Sequence, residues 1–138
     1  RDRGDVFDID TGEQIAGLRT PDRMGLRSSE EEIYHQIAAQ RESVVTNTTI
    51  GAIVTNVALD KAQMGKIAAM AHNGFARTIR PVHTSMDGDT IYALSVGDAV
   101  GNPDVVGTLA AYVMGKAVGR AVRAAHGMCG LPAACDLE

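Results

Sequence analysis

The sequence predicts an α/β or α+β fold in which helices pack on a sheet, and three observations carry that reading. A β-branched apolar run spans 48–57, and a second apolar run spans 91–96. Between them Met64, Ile67, Ala68, Ala71, Phe75 and Thr78 recur at helical spacing. The full order reads hairpin, helix, strand, helix, strand, helix, which is a layered mixture of the two element types.

Size and composition suit such a fold. The 138 residues make one ordinary domain, with 45% hydrophobic and 22% charged residues, values of a globular chain rather than a disordered one. The net charge of −4 lies entirely before Thr48, where ten acids face six arginines. Nothing here resembles a nucleic-acid groove or a surface for anionic lipid. The longest uncharged apolar run, 105–115, is too short to cross a bilayer. The Arg1 start is expected of a piece of a longer precursor, and with no secretion signal the expected compartment is cytoplasmic. Cys129 and Cys135 then read as reduced thiols, and neither a metal nor a cofactor is expected.

Taken in order, residues 4–18 form a hairpin, with Val6, Phe7 and Ile9 on one arm, a turn at Thr11-Gly12, and 15–18 as the return. The Asp8-Ile9-Asp10-Thr11-Gly12 stretch fails as a calcium loop. Its glycine comes one place early, and Arg19 stands where the bidentate Glu belongs. Residues 19–27, with Pro21, Gly25 and three arginines, read as an exposed loop. Ser28 and Ser29 before Glu30, Glu31 and Glu32 start a helix running to about Arg41, with Ile33, Ile37 and Ala38 inward. A linker, 43–47, leads into the strand at 48–57. Both faces of that strand are apolar, so it is expected to be central and covered on both sides. Asp60 with Gln63 caps the next helix, through about Thr78. A loop at 80–90 leads to the strand at 91–96. Asn102-Pro103 then starts an Ala- and Gly-rich helix to about Ala124, followed by a turn-rich tail.

Chemistry gathers at two places. Thr48 follows Asn47 at the mouth of the first long strand. Cleavage of the bond between them would give Thr48 a free α-amine beside its own hydroxyl, so that a weak alcohol nucleophile gains a general base. Among the seven acids after Thr48, five are accounted for by caps, turns or the tail, and Asp87 and Asp89 remain. Gly88 between them allows a turn that brings both carboxylates to one point. Such a pair could orient an ammonium group, share and relay a proton, or hold a divalent metal, or it could be a plain turn with solvated acids. His83, four residues before Asp87, could reach the same place or make a structural hydrogen bond. His72 reads as a boundary residue, and Arg77 and Arg80 as complements to a helix C-terminus.

The stretch Asn47-Thr48-Thr49-Ile50-Gly51-Ala52-Ile53-Val54-Thr55-Asn56-Val57, followed by Arg80-Pro81-Val82-His83-Thr84-Ser85-Met86-Asp87-Gly88-Asp89-Thr90, resembles the P1 (S58) peptidases. That family holds the L-aminopeptidase/D-esterases, β-peptidyl aminopeptidases and nylon-oligomer (6-aminohexanoate oligomer) hydrolases, and the likeness is strongest to the last branch. It implies a layered αββα sandwich of the N-terminal-nucleophile-like type, of which this chain supplies part. It implies a precursor that cuts itself between Asn47 and Thr48. Residues 1–47 would then end an α subunit, and 48–138 would be a β subunit opening on its nucleophile. In the nylon-hydrolase branch two acids stand 39 and 41 residues after the nucleophile, and those positions are Asp87 and Asp89. Aminopeptidase members usually carry Ser as nucleophile with a later Ser and Glu, and the Thr and Asp-Gly-Asp here depart from that pattern, so ordinary aminopeptidase specificity is not implied.

The resemblance also implies what the chain needs. Its substrate would be a small peptide or oligoamide, with no cofactor and no metal. The oxyanion donors, an Asn and a Lys or Tyr, would come from the upstream α portion of the same precursor. Such donors supply about 2.7–4 kcal/mol. The αβ units would form a homo-oligomer. Two other readings stand beside this one: an acyltransferase like the ornithine acetyltransferases, which passes the acyl group to an amine, and a non-catalytic uncleaved fragment.

Overall fold

The computed structural model describes residues 4–38, 48–130 and 132–137. Asn47 and the 43–47 linker lie outside these residues, as does the expected end of the first helix, 39–41. The elements are β1 (Asp5–Phe7), β2 (Gln14–Ala16), β3 (Leu18–Arg19), β4 (Leu26–Arg27), α1 (Ser29–Ala38), β5 (Ile50–Val57), α2 (Lys61–Thr78), β6 (Ile79–Arg80), β7 (Thr90–Ala99), α3 (Pro103–Ala124) and a short 3₁₀ turn at Ala134–Leu137. Mixed helix and sheet is what the sequence predicts.

The N-terminal hairpin forms, and β6 adds to it as a third antiparallel strand in the order β2-β1-β6. Its turn is tied by Asp8, whose Oδ1 accepts the N–H groups of Asp10 and Thr11. The same turn is pinned to α3. Arg123 reaches Asp8 at 2.6 Å, Tyr112 donates to Asp10 at 3.0 Å, and Lys116 pairs with Asp10. The Thr11 and Asp10 N–H bonds and the Arg123 guanidinium hold the Asp8 carboxyl far below the usual carboxylate range.

Residues 19–27 are not a featureless loop. Leu18 and Arg19 pair antiparallel with Arg27 and Leu26 around a turn closed by Thr20 and Gly25. Two-residue strands carry too few alternating positions to leave a period in the sequence. The residue that locks this region is Asp5, 1% exposed, which accepts from Leu18 N–H and from both the N–H and the Oγ–H of Ser29. Ser28 accepts from Glu31 N–H at the start of α1, as a capping serine should.

The rest is a β5–α2–β7–α3 unit. β5 and β7 pair in parallel with Ile50 opposite Thr90 and Val54 opposite Leu94, up to a bulge after Thr55. The capping box of Asp60 and Gln63 opens α2, and Asn102 caps α3 with Pro103 in the first turn. Both helices cover one face of the pair. Ile53 and Ile91 join Met64, Ile67, Ala71, Phe75, Ala110 and Met114 in one buried cluster. The helices meet closely because their contact positions are small. A Cβ at Gly74 would run into the Ala111 carbonyl oxygen, and one at Gly107 into the Met70 side chain. α3 is long and apolar enough to span a bilayer by length and composition, yet its Gly107, Ala110, Ala111, Met114, Gly115 and Gly119 stripe is buried within the protein.

One expectation is corrected. The alternation in β5 is as predicted, with Gly51, Ile53, Thr55 and Val57 inward and Ile50, Ala52, Val54 and Asn56 on the other face. That second face is open among the described residues. Ile50 is 71% exposed, Val54 63% and Tyr92 62%. Among the described residues β5 pairs with β7 alone, so it is not central there. Parallel sheets usually have both faces covered, which makes this open face unusual.

Candidate active site at the mouth of the parallel strands

The parallel register explains why residues so far apart in sequence meet. Ile50 pairs with Thr90, and the ladder is prolonged by Thr90 N–H donating to Thr49 O at 2.9 Å. Followed back two more steps, the same offset sets Thr48 beside Gly88, the residue between Asp87 and Asp89. The proximity is shown by what a side chain would meet there: a Cβ built on Gly88 would stand 2.9 Å from Thr48 Oγ1. The glycine lets the loop backbone lie flush against the Thr48 hydroxyl.

The two carboxylates have different work. Asp89 Oδ1 accepts the N–H of Thr49 at 2.9 Å, so it anchors the chain one residue after Thr48. Its Oδ2 takes His83 Nδ1 at 2.9 Å and His83 N–H at 3.3 Å. Its side chain is only 6% exposed, and three N–H groups satisfy it. Asp87 instead closes its own loop, with Oδ2 accepting both the N–H and the Oγ1–H of Thr84 at 2.8 Å. The turn is completed by Asp87 N–H donating to Thr84 O and Thr90 Oγ1–H donating to Gly88 O. Gly88 thus sits between two fixed side chains rather than at a loose tip.

His83 takes a left-handed backbone conformation, φ 58°, uncommon for a residue with a side chain. That conformation aims both its N–H and its ring at Asp89. Its far nitrogen, Nε2, lies 3.3 Å from Nδ1 of His72 on α2, and the rings meet edge to face at 4.7 Å. His72 also stands edge-on to Phe75 at 5.6 Å. Burial first, and the facing His83 second, push His72 below the usual imidazole range, with Asp89 pulling weakly the other way. The sequence sets His83 near the acids but gives no sign of its partnership with His72. The only signal is a histidine on the inner side of α2, which spacing alone cannot join to a loop eleven residues later.

Arg80 lies over the Phe7 ring at 4.3 Å and belongs to the hairpin packing. Cys129 and Cys135 are exposed free thiols, and among the described residues no cluster of three metal-ligating side chains occurs. An open cavity of about 600 Å³ lies elsewhere, lined by Arg19, Arg23, Arg123 and Asp136 among others. Arg19 and Arg123 already hold the Arg23 carbonyl and Asp8.

The chain is 38% identical to an uncharacterised aminopeptidase of Mycobacterium leprae, over 97% of this chain and 41% of that protein. It is 39% identical to an uncharacterised aminopeptidase of Mycobacterium tuberculosis, over 66% of this chain and 31% of that protein. It is 40% identical to a 6-aminohexanoate-oligomer endohydrolase of Paenarthrobacter ureafaciens, over 47% of this chain and 19% of that protein. The chain thus spans well under half the length of these relatives. The model of peptidase family S58 matches residues 13–133, which is most of the chain. This chain belongs to peptidase family S58.

Proposed function

We propose that the chain carries the nucleophile half of a self-cleaving amide hydrolase, with Thr48 as nucleophile and Asp87 and Asp89 as its acidic partners. The observation that carries this reading is the Thr49 N–H to Asp89 bond beside the Gly88–Thr48 contact. It fixes the backbone on one side of Thr48 while leaving the hydroxyl exposed. Family membership and the names of the relatives, aminopeptidase and oligomer endohydrolase, support amide hydrolysis.

In maturation, Thr48 Oγ attacks the carbonyl carbon of Asn47 and the peptide C–N bond breaks. The acyl group passes from nitrogen to oxygen, and water hydrolyses the ester, leaving Asn47 with a carboxylate and Thr48 with a free α-amine. In turnover that amine, with an ordinary pKa of about 7.7–8, takes the hydroxyl proton. Oγ attacks the substrate carbonyl, the leaving amine departs with a proton, and water releases the acid from the acyl-enzyme. A carboxylate held beside Thr49 stabilises the ammonium form that the α-amine takes on during that transfer. Asp87, tied to Thr84, sets the height of Gly88 against the hydroxyl.

The upstream α portion is the proposed partner. It would lay a second sheet on the open face of β5 and β7, completing an αββα sandwich, and bring the oxyanion donors. The exposed Ile50, Val54, Tyr92 and Leu94 support this, since an apolar parallel pair normally has both faces covered. The αβ units would then assemble further.

The test is the intact mass of the full-length protein under denaturing conditions. Two species divided between residues 47 and 48 are expected, and Thr48→Ala should leave one. Release of a free amine and acid from an amide without any added acceptor separates hydrolysis from acyl transfer. A chain that stays whole and hydrolyses nothing would sink the reading.

A further inference from the structure

We propose that His83, backed by His72, is the positioning residue of the Thr48 centre, and that the two rings take up a single proton between them. This rests on the reading of Thr48 as nucleophile for its kinetic consequences, but its structural content does not. The geometry points one way. A hydrogen bond from Nδ1 to Asp89 at 2.9 Å requires that Nδ1 carry a proton. With the ring neutral, Nε2 is then an acceptor, and His72 Nδ1 at 3.3 Å must donate to it. With one added proton, His83 Nε2 donates instead, and His72 answers by holding its own proton on the outer nitrogen, Nε2. The Asp89 bond survives both states. A second proton would set two cationic rings face to edge at 4.7 Å, one of them in a site where burial already disfavours charge. The groups facing the pair are Asp89 from the loop and the Phe75 ring from α2, while Asp87 is turned toward Thr84.

The consequence is a fixed Asp89 with a replaceable proton behind it. Asp89 presents Oδ1 to Thr49 only while Oδ2 is held, and His83 supplies two of its three donors. Asp89 fixes the tautomer of the His83 ring, and the edge-on His72 ring helps hold its plane.

The experiment uses the full-length protein with three variants and an amino-acid p-nitroanilide or 6-aminohexanoate oligomer as probe. His83→Ala should lower kcat by roughly tenfold to a hundredfold, the scale of a misplaced reacting group, with KM nearly unchanged. His83→Asn, whose amide can still donate to Asp89, should recover most of kcat but lose the limb of the pH profile that the paired rings supply. His72→Gln should shift that limb and leave KM alone. In parallel, ¹⁵N spectra of the labelled imidazoles should show His83 Nδ1 protonated throughout and the two rings sharing one added proton rather than each taking one. Asp89→Asn should move both rings. Two independent titrations, or rings indifferent to Asp89→Asn, would overturn the proposal even if Thr48 proves to be the nucleophile. An unchanged kcat and pH profile in His83→Ala would do the same. If Thr48→Ala hydrolyses normally, the nucleophile reading fails by itself, and the imidazole spectra still decide the pair.

Discussion

Asp89 Oδ1 accepts the backbone N–H of Thr49 at 2.9 Å, a bond between residues 40 apart in the chain. The same offset sets Thr90 against Ile50 in the ladder and brings Gly88 against the Thr48 hydroxyl. Acids at 39 and 41 residues beyond Thr48 therefore flank its register partner. Their spacing is a property of the parallel pairing and not of the loop alone.

Asp89→Asn keeps an oxygen for Thr49 but offers no charge to His83. A hydrogen bond to a charged group contributes about 1.5–3 kcal/mol, and a loss of that order in thermal unfolding is expected. On the proposed maturation, appearance of the species that begins at Thr48, followed by intact mass over time, should slow at least tenfold. Cleavage at the wild-type rate would show that Asp89 is structural only.

Gly88→Ala tests the contact itself. The new methyl would stand 2.9 Å from Thr48 Oγ1, closer than real Cβ atoms come, so the hydroxyl must move. Since Gly88 has an ordinary backbone conformation, the fold should hold. We expect unfolding within about 1 kcal/mol of wild type together with markedly slower cleavage and turnover. Equal loss of both, or of neither, counts against a special role for this glycine.

Gly74→Ala addresses the helix crossing. Its Cβ would meet the Ala111 carbonyl oxygen, the Met114 Cβ and the Gly115 backbone nitrogen, none of which is a flexible tip. Overpacking of this kind costs about 1–3 kcal/mol. Gly65→Ala, with open space around it on the same helix, is the control and should be neutral or slightly stabilising. Equal midpoints for the two in chemical unfolding would mean that the helices slide apart freely.

His72 gives a signed pH dependence. Burial, then His83, holds its folded pKa below the ordinary value. As pH falls below about 6.5, the unfolded chain binds a proton that the folded chain declines, so stability declines with it. His72→Phe should flatten that fall in unfolding midpoints measured between pH 7.5 and 5. A slope unchanged by the substitution would place its origin at another group.

The open sheet face should matter for assembly but not for the local core. Leu94→Lys puts a charge on the exposed side, away from Ile53 and Ile91. If an α portion covers this face, the variant should lose co-purification with it and lose cleavage, while the helix-packed side stays folded by circular dichroism. Retained assembly would direct attention to another surface.

Some of this was decided by sequence. The Asp60–Gln63 and Asn102–Pro103 caps set the starts of α2 and α3, because capping is a contact between residues two or three apart. The periodicity of α2 named its buried face, and the alternation of β5 named both of its faces, because side-chain direction follows from local backbone geometry. Thr48, Asp87 and Asp89 were named together as candidates by residue type and by resemblance, and the structure sets Asp89 against Thr49 and Gly88 near Thr48. The rest was decided by tertiary structure. Which face of β5 is covered depends on what packs there, and a strand cannot carry that information in its own pattern. The β3–β4 pairing, the Asp5–Ser29 lock and the His72–His83–Asp89 line each join segments whose separation obeys no local period. Thr48 and Gly88 meet only because β5 and β7 pair in parallel in one register, and that register is chosen by the helices packed across it.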